Sequence, residues 1–174
     1  MTLPPLEELD QLPAATAASL LAPLFEGSAA FVARLVAARP FATDAAMIRA
    51  AAELARGLPE SDQAALLNAH PRIGADPGTV SSASYGEQGY DREAVTPEWV
   101  GEELADLNEA YEQRFGFRFV VFVAGRPRAA IIPLMETALR NDRSAELARG
   151  LDEVIDIAAD RLARLRADGS AANE

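Results

Sequence analysis

Val100, Leu104, Leu107 and Tyr111 recur at steps of four, three and four residues. That is the repeat of one helical face, and the ends of the segment match it. Thr96 is a natural N-cap, Pro97 suits the first helical position, Glu98 lies against the positive helix end and Gly116 offers a stop. The spacing predicts a helix over Thr96–Phe115. Similar alanine-rich segments, punctuated by Pro, Gly and Asx residues, predict helices over Ala14–Phe25, Ser28–Ala38, Thr43–Leu58, Ser61–Ala69, Arg128–Arg140 and Ser144–Asp168. Abundant alanine and thinly spread Gly, Pro and β-branched residues favour helix over sheet. One core serves a chain of 174 residues, and folding buries about 70% of its unfolded surface. The expected fold is all-α: a compact single-domain bundle of about seven to ten helices over residues 1–174, with no significant sheet and a disordered tail from about residue 168.

Two stretches resist this pattern. Residues 72–84, "RIGADPGTVSSAS", read as a loop by composition. Residues 117–125, "FRFVVFVAG", have the β-branched and aromatic content of a strand but no partner strand elsewhere. A buried extended segment, or a helix forced by context, is expected there. Pro133 should kink Arg128–Arg140 or mark its true start.

Composition narrows the chemistry. The net charge is −11 and the pI about 4.6, so the surface repels phosphate backbones and nucleic acid is not an expected partner. No apolar run of membrane-spanning length occurs, and neither end carries a targeting signal, so a cytoplasmic protein with no membrane partner is expected. There is no cysteine, and all 16 basic residues are arginine. Thiolate nucleophiles, disulfides and lysine-bound pyridoxal phosphate are therefore excluded. One histidine cannot build a multi-histidine zinc site, and no metal is expected.

What remains is His70, with carboxylates, arginines and hydroxyls. His70 precedes Pro71, so its helix should end at or near it. There the helix dipole favours the protonated imidazole, and a group titrating near neutrality suits proton transfer. On position alone, capping is the commoner role of such a histidine. Glu87 in "SYGEQG" could orient or polarise the imidazole. The spacing Ser84-Tyr85-Gly86-Glu87 equally fits a capping box, a device for starting a helix. On the last helix, Leu151, Ile155, Ala158 and Leu162 form an apolar face, with Arg161 on its flank about 60° from the centre. Such an arginine could clamp a carboxylate or ureido group, or simply snorkel at the boundary. Residues 117–125 could offer backbone N–H groups to a polar ligand, or be ordinary core.

Six pieces in order carry a family resemblance: "RPF" at 39–41, "LLNAHPRIG" at 66–74, "SYGEQG" at 84–89, "LNEAYEQRFGFRFVVFV" at 107–123, "LRND" at 139–142 and "EVIDIAADRL" at 153–162. In them the chain resembles the 2-oxo-4-hydroxy-4-carboxy-5-ureidoimidazoline (OHCU) decarboxylases, which complete the route from urate to allantoin. The resemblance implies a compact all-helical homodimer, without a cofactor, that turns this small molecule into (S)-allantoin. It implies His70 and Glu87 as the catalytic pair. It implies substrate contacts from Pro71, Ser84, Tyr85, Gly86, Gln88 and Arg161, and from the segment Phe119, Val120, Val121, Phe122 and Val123. A non-catalytic binding module on the same fold, or a ring hydrolase using His70 as base, are the alternatives.

Overall fold

The computed structural model describes residues 3–92 and 97–171, without the side chains of residues 170 and 171. Its helices are α1 Leu6–Gln11, α2 Ala14–Leu21, α3 Ala29–Ala37, α4 Asp44–Gly57, α5 Glu60–Asn68, α6 Ser82–Glu87, α7 Glu98–Phe115, α8 Ile132–Ala138 and α9 Arg143–Ala171. Short 3₁₀ turns cover Ala22–Phe25, Pro77–Thr79 and Arg128–Ile131. No strand occurs among the described residues.

Local sequence accounts for most helix ends. In α4 the Thr43 hydroxyl accepts from Ala46 N–H, and Asp44 and Arg56 sit at the ends that suit their charges. In α7, Gly116 turns left-handed at φ 78° and its N–H bonds the Glu112 carbonyl, the expected stop. Pro97 immediately precedes that helix rather than opening it, and the expected cap Thr96 lies outside the described residues. Pro133 sits in the first turn of α8, where its missing N–H has no helical partner to lose. It marks a start, not a kink. The expected tail boundary at residue 168 falls within α9, which runs to Ala171.

The long helix α9 is the spine of the molecule. It packs on α4, on α5 and on the 3₁₀ turn after α2, while α2 and α4 pack on α3, and α7 on α8. Small residues permit the close approaches. The α4 face buries Met47, Ala51 and Ala55. A Cβ on Gly150 of α9 would stand 3.1 Å from both methyls of Leu67 in α5. Side chains such as Leu21, Phe25, Leu35, Leu67 and Phe119 are fully or almost fully buried, each contributing about 1.5–3 kcal/mol of apolar transfer.

Residues 117–125 are neither helical nor paired with a strand, yet Phe117, Phe119, Val120, Val121 and Val123 are buried. Buried backbone groups need partners, and here side chains supply them, most of them distant in sequence. Asn68 Oδ1 accepts from Arg118 N–H at 2.8 Å, and Glu153 carboxylate from Phe122 N–H at 2.7 Å. Arg149 donates to the Val120 carbonyl at 2.8 Å, and Arg126 to the Val123 carbonyl at 2.9 Å. The Tyr111 ring meets those of Phe115, Phe117 and Phe119 at 4.6 to 6.0 Å, fixing the segment against α7. The extended, buried alternative holds, with side chains in place of a neighbouring strand.

Candidate functional site

The α5 helix ends at Asn68, where Pro71 could not continue its bonding. Arg118 closes this end by donating to the carbonyls of Asn68 at 3.0 Å and His70 at 2.7 Å. His70 is thus held at the helix terminus and is only 3% exposed. Its Nδ1 lies 3.4 Å from the Leu66 carbonyl. A carbonyl only accepts, so this contact favours the tautomer with the proton on Nδ1 and a bare Nε2. Nε2 is buried with no hydrogen-bond partner.

Sequence position suggested a protonated imidazole; the structure reverses that. Burial, and then the charge of Arg161, push the His70 pKa down to about 4. Glu26 and the Leu66 carbonyl push upward and Arg118 adds to the depression, so desolvation prevails over the helix dipole.

The α6 helix is started by Ser81, whose hydroxyl accepts from Ser84 N–H. The Ser84–Glu87 capping box is therefore not formed: Ser84 lies inside the helix and Glu87 is its last residue. Glu87 is instead gripped by Arg161, Nε to Oε1 and Nη2 to Oε2, each at 2.7 Å. The bond orienting His70 is that to Leu66, and the side chain orienting Glu87 is Arg161.

Behind this pair stands Glu26, which no local motif marks out. It adopts a left-handed backbone, φ 50°, that a residue with a Cβ adopts only where its surroundings hold it. Its carboxylate accepts from Ser84 Oγ at 2.6 Å, from Ser81 Oγ at 3.1 Å and from Arg161 Nη2. Arg161 also donates to the Pro23 carbonyl at 2.8 Å. Burial pushes the Glu26 pKa up, but Arg161 and the Ser84 hydroxyl outweigh it and hold the carboxyl below its usual range. Glu26, Glu87 and Arg161 thus form a buried set with one positive and two negative groups.

His70 and Glu87 line one cavity of about 90 Å³. Pro71, Ser84, Gln88 and the whole run Phe119–Val123 line it too, as expected. Tyr85, Gly86 and Arg161 do not. Tyr85 faces outward, because its neighbours in so short a helix occupy the inner side. Arg161 borders an apolar recess of about 150 Å³, which shares Glu87 and Arg164 with the cavity. The Glu87–Arg161 pair divides the two. Gln88 is largely committed as well. It accepts from Gly74 N–H at 2.9 Å and donates to the Arg72 carbonyl at 3.1 Å, so it shapes the loop after His70. Lining residues that sequence reasoning missed include Ile73, Arg92, Ile157 and Arg164. Ile157, Arg161 and Arg164 follow at steps of four and three, a spacing on α9 that could have flagged Arg164. Among the described residues, no group of three or more His, Cys, Asp or Glu side chains is placed to hold a metal.

A cavity with a bare buried imidazole nitrogen, a fixed carboxylate and an apolar wall can move one proton on a small polar ring. A family model described as OHCU decarboxylase matches residues 10–163. A uric acid degradation bifunctional protein of Bacillus subtilis is 30% identical over 158 residues, 91% of this chain but 32% of that protein. The chain therefore spans about a third of that relative's length. A 2-oxo-4-hydroxy-4-carboxy-5-ureidoimidazoline decarboxylase of Haloferax volcanii is 34% identical over 144 residues, 80% of this chain and 83% of that one. A crystal structure of an OHCU decarboxylase in the presence of (S)-allantoin matches with a TM-score of 0.66 at 26% identity, covering 81% of this chain and 93% of the other.

Proposed function

This chain belongs to the OHCU decarboxylase family, and on that premise we propose that it decarboxylates OHCU to (S)-allantoin in urate breakdown. One observation carries the reading beyond family membership: His70, whose Nε2 is buried without a hydrogen-bond partner, and Glu87 line the same small cavity.

In this substrate the departing carboxylate sits on the hydroxyl-bearing ring carbon, next to a ring C=N. When that C–C bond breaks, carbon dioxide leaves and the electron pair forms a new ring C=C, while the imine electrons move to nitrogen. The substrate thus provides the electron sink that cofactors provide elsewhere. His70, neutral at pH 7, takes the ring hydroxyl proton through Nε2. His70 then returns that proton to one face of the ureido-bearing carbon, as the enol becomes a carbonyl, while the ring nitrogen takes a proton from solvent. The net change is one proton consumed and one carbon dioxide released. Phe119–Val123 hold the ring along their backbone, and Pro71, Ser84 and Gln88 close the pocket. Arg161 acts through Glu87 rather than on the substrate. The working form is a cytoplasmic homodimer, for which light scattering at assay concentration is the check.

The test supplies freshly made urate oxidation product and follows loss of the intermediate's absorbance and the handedness of the allantoin formed. Accelerated loss giving one enantiomer supports the reading; binding without turnover leaves a non-catalytic module. His70→Ala and Glu87→Gln should each lower turnover by about 10²–10⁴-fold with the helical spectrum intact. Near-normal turnover in either variant removes that residue from the mechanism.

A further inference from the structure

Resting on that reading, we infer that Arg164, and not Arg161, is the group that meets the substrate's carboxylate, at the edge of the cavity. The inner site cannot receive it. Arg161 gives its Nε and Nη2 to Glu87 and Glu26, and its Nη1 to the Pro23 carbonyl. With His70 neutral, the buried set of Glu26, Glu87 and Arg161 carries a net negative charge. A carboxylate pushed towards His70 would meet two anions over one spoken-for cation.

Arg164 lies one turn further along α9, about 4.5 Å along the axis, and lines the same cavity. Its side chain is 57% exposed. Its Nη2 pairs with Asp160 Oδ2 at 2.6 Å. Among the described residues, Nε and Nη1 of Arg164 make no hydrogen bond, so that side of its planar fork is available to a carboxylate. Arg92 is the other arginine lining the cavity; it stands 3.7 Å from its neighbour Asp91. In a chain of net charge −11, cations at this edge give an anionic substrate its favourable approach. They also orient it, with the carboxylate outward and the ring hydroxyl inward to Nε2.

The kinetic consequence is specific. The carboxylate leaves as neutral carbon dioxide, so Arg164 holds the ground state more strongly than the transition state. Such a contact lowers KM without raising kcat. It also favours substrate over product, because allantoin has lost the charged group.

Steady-state kinetics of Arg164→Gln and Arg164→Lys, with (S)-allantoin as inhibitor, test this. Wild-type turnover of OHCU in the same assay keeps the outcome separate from failure of the proposed function. Arg164→Gln should raise KM about tenfold or more, leave kcat unchanged or higher, and leave inhibition by (S)-allantoin as in the wild type. Arg164→Lys, which keeps the charge, should recover part of the loss. An unchanged KM in Arg164→Gln would overturn the assignment, as would a parallel loss of allantoin affinity. So would a carboxylate-selective loss found in Arg92→Gln alone.

Discussion

His70 is the residue whose environment does most to set the chemistry. An imidazole titrating near 4 is uncharged across the neutral range, so its proton-accepting form is already present at pH 7. The ordinary value is 6.5. Between pH 6.5 and about 4 the unfolded chain binds a proton at this position that the folded chain refuses. Its effect on stability is absent above that window and grows unfavourable as pH falls through it, reaching about 3 kcal/mol at the acid end. Denaturant midpoints at pH 7 and 4.5 should therefore separate more in the wild type than in His70→Asn; equal separations would refute a depressed imidazole. Glu26 pulls the other way, raising the His70 pKa against Arg161 and Arg118. Glu26→Gln should move the acid limb of kcat/KM to still lower pH, whereas a purely structural role would lower activity with the limb unmoved. His70 and Glu87 could be chosen from sequence because a lone histidine before proline and a carboxylate in a recognisable string are local features. Glu26 could not: its partners Ser81, Ser84 and Arg161 lie 55 residues or more away. Arg161 was placed correctly on its helix flank, but a helical angle does not reveal that Glu87 and Glu26 meet it there.

At the scale of elements, the cavity wall depends on α9 for its shape. Glu146, wholly buried, accepts from Tyr111 Oη at 2.6 Å, Asn141 Nδ2 at 2.8 Å and Arg149 Nε at 2.8 Å. Burial and the bond to Glu146 push the Tyr111 phenol well above its ordinary pKa, so it stays a donor. Arg149 in turn lies over the Phe119 ring at 4.6 Å and holds the Val120 carbonyl. Glu146→Ala leaves Arg149 with only the more distant Glu153 carboxylate at 3.7 Å and Tyr111 Oη without its acceptor, and should lower unfolding free energy by about 2–4 kcal/mol, measured by denaturant titration. The long helix α7 was legible because its apolar period and Gly116 agree. The short helix α6 was not, because six residues show no period, and Ser84 and Glu87 mimic a cap in the wrong register. The segment 117–125 was half legible: its apolar content announced burial, but most of its partners, Asn68, Arg149 and Glu153, are side chains remote in sequence.

Across the whole molecule, the fold closes on itself at Arg166. This guanidinium grips the Asp44 carboxylate through two bonds of 2.9 Å. It also donates to the carbonyls of Leu3 at 3.0 Å and Pro4 at 2.6 Å. The pair is partly exposed, so Arg166→Met should lower stability by only about 1–2 kcal/mol, read as a shifted thermal midpoint, with kcat unchanged. No helix among the described residues is long and apolar enough to cross a membrane; α9 has the length, but charge breaks its apolar face.

That stitch draws the first described residues and the last helix to the same corner. A circularly permuted form, with a short linker across that corner and new ends cut in an exposed turn such as that near Gly57, would keep every cavity residue in its place.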